Sequence, residues 1–98
     1  MHSISKIEKV VAEFNVWPRE QIPFAKFKVK ILETESGEFI GLPNIAVKDE
    51  DGCPDWISGV GKSIDEALAD AIKYLYGTLQ GRAELTEQDF EWSDPHDF

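Results

Sequence analysis

Ser63 opens the one segment whose secondary structure leaves little choice. Ile64, Leu68, Ala71, Ile72, Leu75 and Leu79 recur at the spacing of a single helix face. Ser63-Ile-Asp-Glu66 is a capping-box pattern, in which the hydroxyl accepts from an otherwise unpartnered amide and the glutamate reaches back. Asp65 and Glu66 lie at the positive end of the helix dipole. Alanines at 67, 69 and 71 favour helix and permit close approach to a sheet. Gly59-Val-Gly61 reads as a tight turn feeding this helix, and Gly77 or Gly81 ends it. An amphipathic helix of this length must cover something, and the preceding residues supply a sheet.

Phe24 to Thr34 alternates. Ala25, Phe27, Val29 and Ile31 share one face, and Lys26, Lys28 and Lys30 share the other. Glu35-Ser-Gly37 is a hairpin turn, and Glu38 to Leu42 returns as a second strand. Pro43 and Asn44 interrupt that strand before Ile45 to Lys48 continues it, because proline cannot donate to a ladder. Asp49-Glu-Asp-Gly52 is a second turn, and Asp55 to Ser58 is a short third strand. Nearer the N-terminus, Ile4, Ile7, Val10, Val11 and Phe14 follow helical spacing behind a Ser5-x-x-Glu8 capping pattern. Val10, Ala12, Phe14 and Val16 also alternate as a strand would, so helix is expected here with strand as the alternative. Thr86, with Leu85 and Phe90 at the staple positions, predicts a short helix near the C-terminus. The expected fold is therefore α+β: helix, three-stranded antiparallel sheet, helix (αβββα), with a short C-terminal helical extension. The domain spans 1–81, and 82–98 form an acidic aromatic tail.

Ninety-eight residues suffice for one domain with a modest core. No apolar run is long enough to span a membrane. Lys6, Glu8, Lys9 and Glu13 interrupt the first apolar stretch, which is not the pattern of a secretory signal. A single cysteine, Cys53, leaves no internal disulfide, and a cytoplasmic setting is expected. The net charge of −9 is uneven. Residues 1–48 carry seven basic against six acidic groups, and residues 49–98 carry three against thirteen. Phosphate recognition needs clustered cations, so nucleic acid is a poor general ligand, whereas the acidity permits a basic protein partner and equally keeps a small protein soluble.

Gly59-Val-Gly-Lys-Ser63 invites a phosphate-loop interpretation, but that motif requires glycine where Trp56 stands. Asp49, Asp51 and Asp55 around Gly52 do not have EF-hand spacing. Cys53 would need an activating base, and His2 and His96 lie near the two ends. No catalytic constellation, cofactor site or metal site emerges, and a non-enzymatic role is expected. The candidate partner-binding residues are the cations Lys26, Lys28 and Lys30 and the tail aromatics Phe90, Trp92 and Phe98, which stand among six acids. The lysines would meet an acidic tail, the chain's own C-terminus included. Their competing explanation is protection of an exposed sheet edge. The oligomeric state is open, and a homodimer is compatible with the sequence.

Two family resemblances rest on these residues. Gly59-x-Gly61-x-Ser63-x-x-x-Ala67-x-x-x-Ala71-x-x-x-Leu75 resembles the third-strand-to-helix junction of double-stranded-RNA-binding domains, and the expected element order over residues 4–79 is theirs. That resemblance implies the αβββα fold. It argues against RNA binding, because Asp65 and Glu66 stand where that family places phosphate-binding lysines, and Thr34–Glu38 lacks its glycine-proline-histidine loop. Gly37-Glu-Phe39, Leu42-Pro-Asn44 and Ser63-Ile-Asp-Glu-Ala-Leu68 are similar to the hairpin, bend and capped helix of HicB-type antitoxins. That likeness implies a protein that neutralises a small basic toxin. The sequence thus favours a protein-binding, antitoxin- or regulator-like module. The alternative is a degenerate RNA-binding domain using Lys26, Lys28 and Lys30.

Overall fold

The computed structural model describes residues 8–19, 21–82, 84–96 and 98. Seven strands and one α-helix follow in the order β1 (Lys9–Val16), β2 (Phe27–Glu33), β3 (Phe39–Pro43), β4 (Ile45–Lys48), β5 (Pro54–Asp55), β6 (Gly59–Gly61), α1 (Ile64–Gly77), a 3₁₀ turn (Glu87–Asp89) and β7 (Phe90–Trp92). They form two antiparallel sheets, one ordered β1-β2-β3-β6 and the other β5-β4-β7. The αβββα expectation is overturned: the described chain is mainly sheet with a single helix, and its C-terminal extension is a strand.

The first departure lies at β1. Ser5 and the start of the expected helix fall outside the described residues. From Lys9 onward the alternation prevails, and Ala12, Phe14 and Val16 pair with Ile31, Val29 and Phe27. A bulge between Val10 and Ala12 inserts Val11 and breaks the strict period of two. That extra residue gives Val10, Val11 and Phe14 their helix-like spacing. The strand wins because β2 offers a buried apolar face to pair against, and valines fit a pleated surface better than a helix.

The second departure is Gly59–Gly61, which is no turn but the strand β6, paired with β3. Its glycines answer to the helix. A Cβ on Gly59 would stand 2.1 Å from the Ala71 nitrogen, and one on Gly61 would stand 2.6 Å from the Ala67 nitrogen. Gly41 on β3 is equally crowded, 2.7 Å from the Ala67 carbonyl oxygen. Helix and sheet therefore meet backbone to backbone along a glycine–alanine seam. Ser63 caps the helix as expected, its Oγ accepting from the Glu66 amide at 3.1 Å. Glu66 reaches back one residue further than a standard box, accepting from the Lys62 amide at 2.8 Å. Thr78 closes the other end, its hydroxyl donating to the Leu75 carbonyl at 2.6 Å.

Pro43 and Asn44 carry the chain from one sheet to the other. The Lys28 amide donates to Asn44 Oδ1 at 2.8 Å, the Asn44 amide to the Lys28 carbonyl at 2.9 Å, and the Ser93 amide to the Asn44 carbonyl at 2.8 Å. One residue thus ties β2, the bend and the C-terminal segment together. The expected third strand shrinks to Pro54–Asp55, paired with β4. At the C-terminal end Thr86 starts only a 3₁₀ turn, its amide donating to Asp89 Oδ2 at 2.7 Å. β7 then pairs Phe90, Glu91 and Trp92 with Val47, Ala46 and Ile45. The core joins Phe27, Val29 and Ile31 to Ala67, Ala71, Leu75 and Leu79, and extends through Ile45, Val47 and Phe90.

Gly59→Ala should destabilise the protein by about 3 kcal/mol, the upper end of overpacking costs, because backbone atoms rather than a flexible side chain must yield. Gly77→Ala, which meets nothing within 4 Å, should stabilise it by about 0.5–1 kcal/mol. Urea unfolding of the two variants separates close approach from mere glycine content.

Candidate functional site

The helix covers one face of the four-stranded sheet, so the opposite face is where function can be sought. Strand register arranges that face in rows. Val10, Leu32, Ile40 and Val60 are successive partners across all four strands and form one aliphatic row. Its ends face solvent, with Val10 52% and Val60 57% exposed, while Leu32 is 8% exposed and Ile40 half-buried. The next row is Glu13, Lys30 and Leu42, and beyond it Asn15 pairs with Lys28.

The three lysines read as one stripe have three separate engagements. Lys26 precedes β2, and its ammonium lies 5.4 Å from the Trp17 ring centroid. Lys28 pairs with Glu13 at 3.2 Å. Lys30 is only 8% exposed. Its ammonium donates to the main-chain oxygen of Phe98 at 2.9 Å and lies 4.6 Å from that ring's centroid. Edge protection does not explain them, since β2 runs between β1 and β3. The edge at β6 is occupied differently: the Val60 amide donates to Asp70 Oδ2 at 2.9 Å. Together with the Lys62–Glu66 bond, this places carboxylates on the amides that a phosphate would need.

The tail aromatics divide. Phe90 is buried and meets Phe24 edge-on, with centroids 5.5 Å apart. Trp92 is exposed, its ring held against Phe24 at 4.8 Å. A turn in which the Phe98 amide donates to the Asp94 carbonyl at 3.1 Å returns the chain over the sheet. Lys28, Glu13, Asn44, Trp92, Pro95 and Phe98 then line an open cleft of about 510 Å³. Lys28, Lys30, Trp92 and Phe98 therefore share one side of the molecule, Lys26 flanks it beside Trp17, and Phe90 belongs to the core. At the acidic turn, Asp49 Oδ1 accepts from the Asp51 and Cys53 amides at 2.9 Å each, which makes that carboxylate part of the turn itself. Cys53 is an exposed free thiol.

The aliphatic row escaped notice in the sequence. Val10 falls in helical spacing and Val60 between two glycines that signal a turn, and the row exists only when four strands are in register. The available signal was Val60 itself, a β-branched residue between two glycines, where a turn would favour polar neighbours.

Models of known protein families find no match in this sequence, and neither curated proteins nor solved structures yield a similar chain. Among the described residues no helix is long and apolar enough to cross a membrane.

Phe98→Ala should remove the ring from the Lys30 ammonium and lower stability by about 1 kcal/mol. The same change should raise the rate at which an amine-acylating reagent modifies Lys30. Peptide mapping after brief labelling reads this directly, and an unchanged rate would mean that Phe98 does not shield the ammonium.

Proposed function

We propose that the protein is a non-enzymatic protein-binding module of the antitoxin or regulator kind, holding a basic partner on the helix-free sheet face. The aliphatic row from Val10 to Val60 carries this reading. A solvated face of an antiparallel sheet is ordinarily polar, whereas this one keeps four aliphatic side chains in register with both ends exposed. All three tryptophans, Trp17, Trp56 and Trp92, are also exposed, and tryptophan is over-represented at binding hot spots. The net charge of −9 favours a basic partner. The hairpin at Gly37, the bend at Pro43–Asn44 and the Ser63-capped helix follow one another in the order of the HicB-type resemblance. That supports a small basic toxin as the form of the partner. An exposed thiol at Cys53 suits a reducing, cytoplasmic setting. Recognition of RNA by the lysines has less support, because Lys30 is buried beneath Phe98 and Lys28 is paired with Glu13.

Val60→Asp places a charge on the row without touching the core. Tagged wild-type and variant chains, used to capture partners from native lysate, should differ at least tenfold in a small basic protein, with equal thermal unfolding of the two baits. Equal capture would remove the row from the binding surface.

A further inference from the structure

We infer that a second copy of this chain pairs along the outer edge of β1, making a twofold antiparallel dimer by strand addition. The ends of the two sheets single out this edge. At the other end of the four-stranded sheet, Asp70 and Glu66 take the Val60 and Lys62 amides. The end strands of the second sheet, β5 and β7, are only two and three residues long. β1 is eight residues long, and among the described residues no strand pairs with its outer side. An edge of that length is a template for another strand. Its own defence, the bulge at Val11, leaves Ala12 to Val16 in regular pairing with β2. The helix packs on β6, β3 and β2, and Phe14 and Val16 of β1 remain half-buried on its side of the sheet.

Register and charge select a second copy. A strand that pairs with itself about a twofold axis sets its residues opposite one another around a centre, and opposite residues share a face. Centred on Phe14, the pairing sets Ala12 opposite Val16 and Glu13 opposite Asn15. Both Phe14 rings then extend the apolar layer on the helix side, and no like charges meet. Centring on Glu13 would oppose two carboxylates, on Ala12 would bring the bulge into the ladder, and on Asn15 would reach Pro18, which cannot donate. Registers midway between residues turn the second copy over and set polar side chains beside Phe14. The charge division agrees. β1 lies in residues 1–48, with seven basic against six acidic groups, whereas residues 49–98 carry thirteen acids. Pairing at β1 joins the near-neutral sides and leaves β6 at the far ends of one continuous sheet. Both aliphatic rows stay open on the face opposite the helices, so the dimer is independent of the binding proposed there. Five paired residues a side bury less than the 1,200 Å² or so of a standard interface, so the dimer is a weak one.

The test is sedimentation of the full chain from about 10 μM to about 1 mM, the range of weak association. The wild type should pass from monomer to dimer. Asn15 is exposed and lies outside the core, so changes there leave the monomer folded, which thermal unfolding at low concentration checks. Asn15→Glu sets a second carboxylate opposite Glu13 of the other copy, twice per dimer, and should weaken association about tenfold. Asn15→Lys sets an ammonium there and should tighten association. Val60→Asp adds the same charge at the far edge of the sheet and should leave association unchanged. Hydrogen exchange of the β1 amides should slow as concentration rises. A chain that stays monomeric throughout would overturn the inference, as would a dimer indifferent to both Asn15 variants. A dimer dissolved by Val60→Asp would overturn it in favour of contact through the aliphatic row. Protection of all β1 amides at every concentration would mean that a single chain already covers the edge, and would overturn it as well.

Discussion

The rest of the structure depends on the contact between the glycines of β3 and β6 and the alanines of α1. Gly41, Gly59 and Gly61 each lack the space for a Cβ, and Ala67 and Ala71 fill that space with backbone and methyl groups. Such close approach brings Leu75 and Leu79 onto Phe27, Val29 and Ile31 without a gap. It also lets two helical carboxylates reach the outer edge of β6, where they accept the Val60 and Lys62 amides. A three-residue edge strand with few side chains to pack would otherwise be weakly held. Its amides are instead taken by the helix that crosses it.

One consequence falls on the opposite face. In a strand, neighbours of an inward residue point outward, so glycines required beneath the helix force Val60 toward solvent. Register does the same for Ile40, between Phe39 and Gly41, and for Leu32, beside Ile31. Packing demands on one face thus decide which residues line the other, though not that they be aliphatic. Threonine at position 60, a polar β-branched residue, would serve the strand as well. Valine there has no role in the core, and as a β-branched residue it suits the strand.

Much of this was legible. The helix from Ile64, its Ser63 cap, the alternation of β2, the Gly37 hairpin and the break at Pro43 all follow from local chemistry, which a sequence displays directly. What stayed hidden depends on distant residues. β1 was obscured by a bulge at Val11, whose extra residue imitates helical spacing. β6 was obscured because glycine signals a turn unless a helix lies above it. β7 was obscured because a capped Thr86 announces a helix, while pairing with β4 is decided by Ile45 and Val47 some forty residues away. Of the candidate site, neither the contact of Phe98 with Lys30, made by its ring and main-chain oxygen, nor the burial of Phe90 is legible from charge. The place of Phe90 depends on Phe24 across the molecule.

Asn44 connects these levels. By accepting from Lys28 through its side chain and from Ser93 through its main chain, it fixes where the acidic C-terminal segment leaves β7 relative to the open face. The acids of residues 49–96 lie on the acidic turn, β5, the helix and the C-terminal arm, beside a sheet built largely from the near-neutral half. The division suits two stages of the recognition proposed for a basic partner. Charges spread around a surface act at a distance and raise the rate of encounter with a basic partner, an effect that salt screens within about 8–10 Å. Contacts with the aliphatic row act only on arrival and govern how long the partner stays. Salt should therefore slow association with little effect on dissociation, whereas a charge placed at Val60 should hasten dissociation. Stopped-flow mixing at two ionic strengths distinguishes the two roles, and a salt effect confined to dissociation would contradict the division.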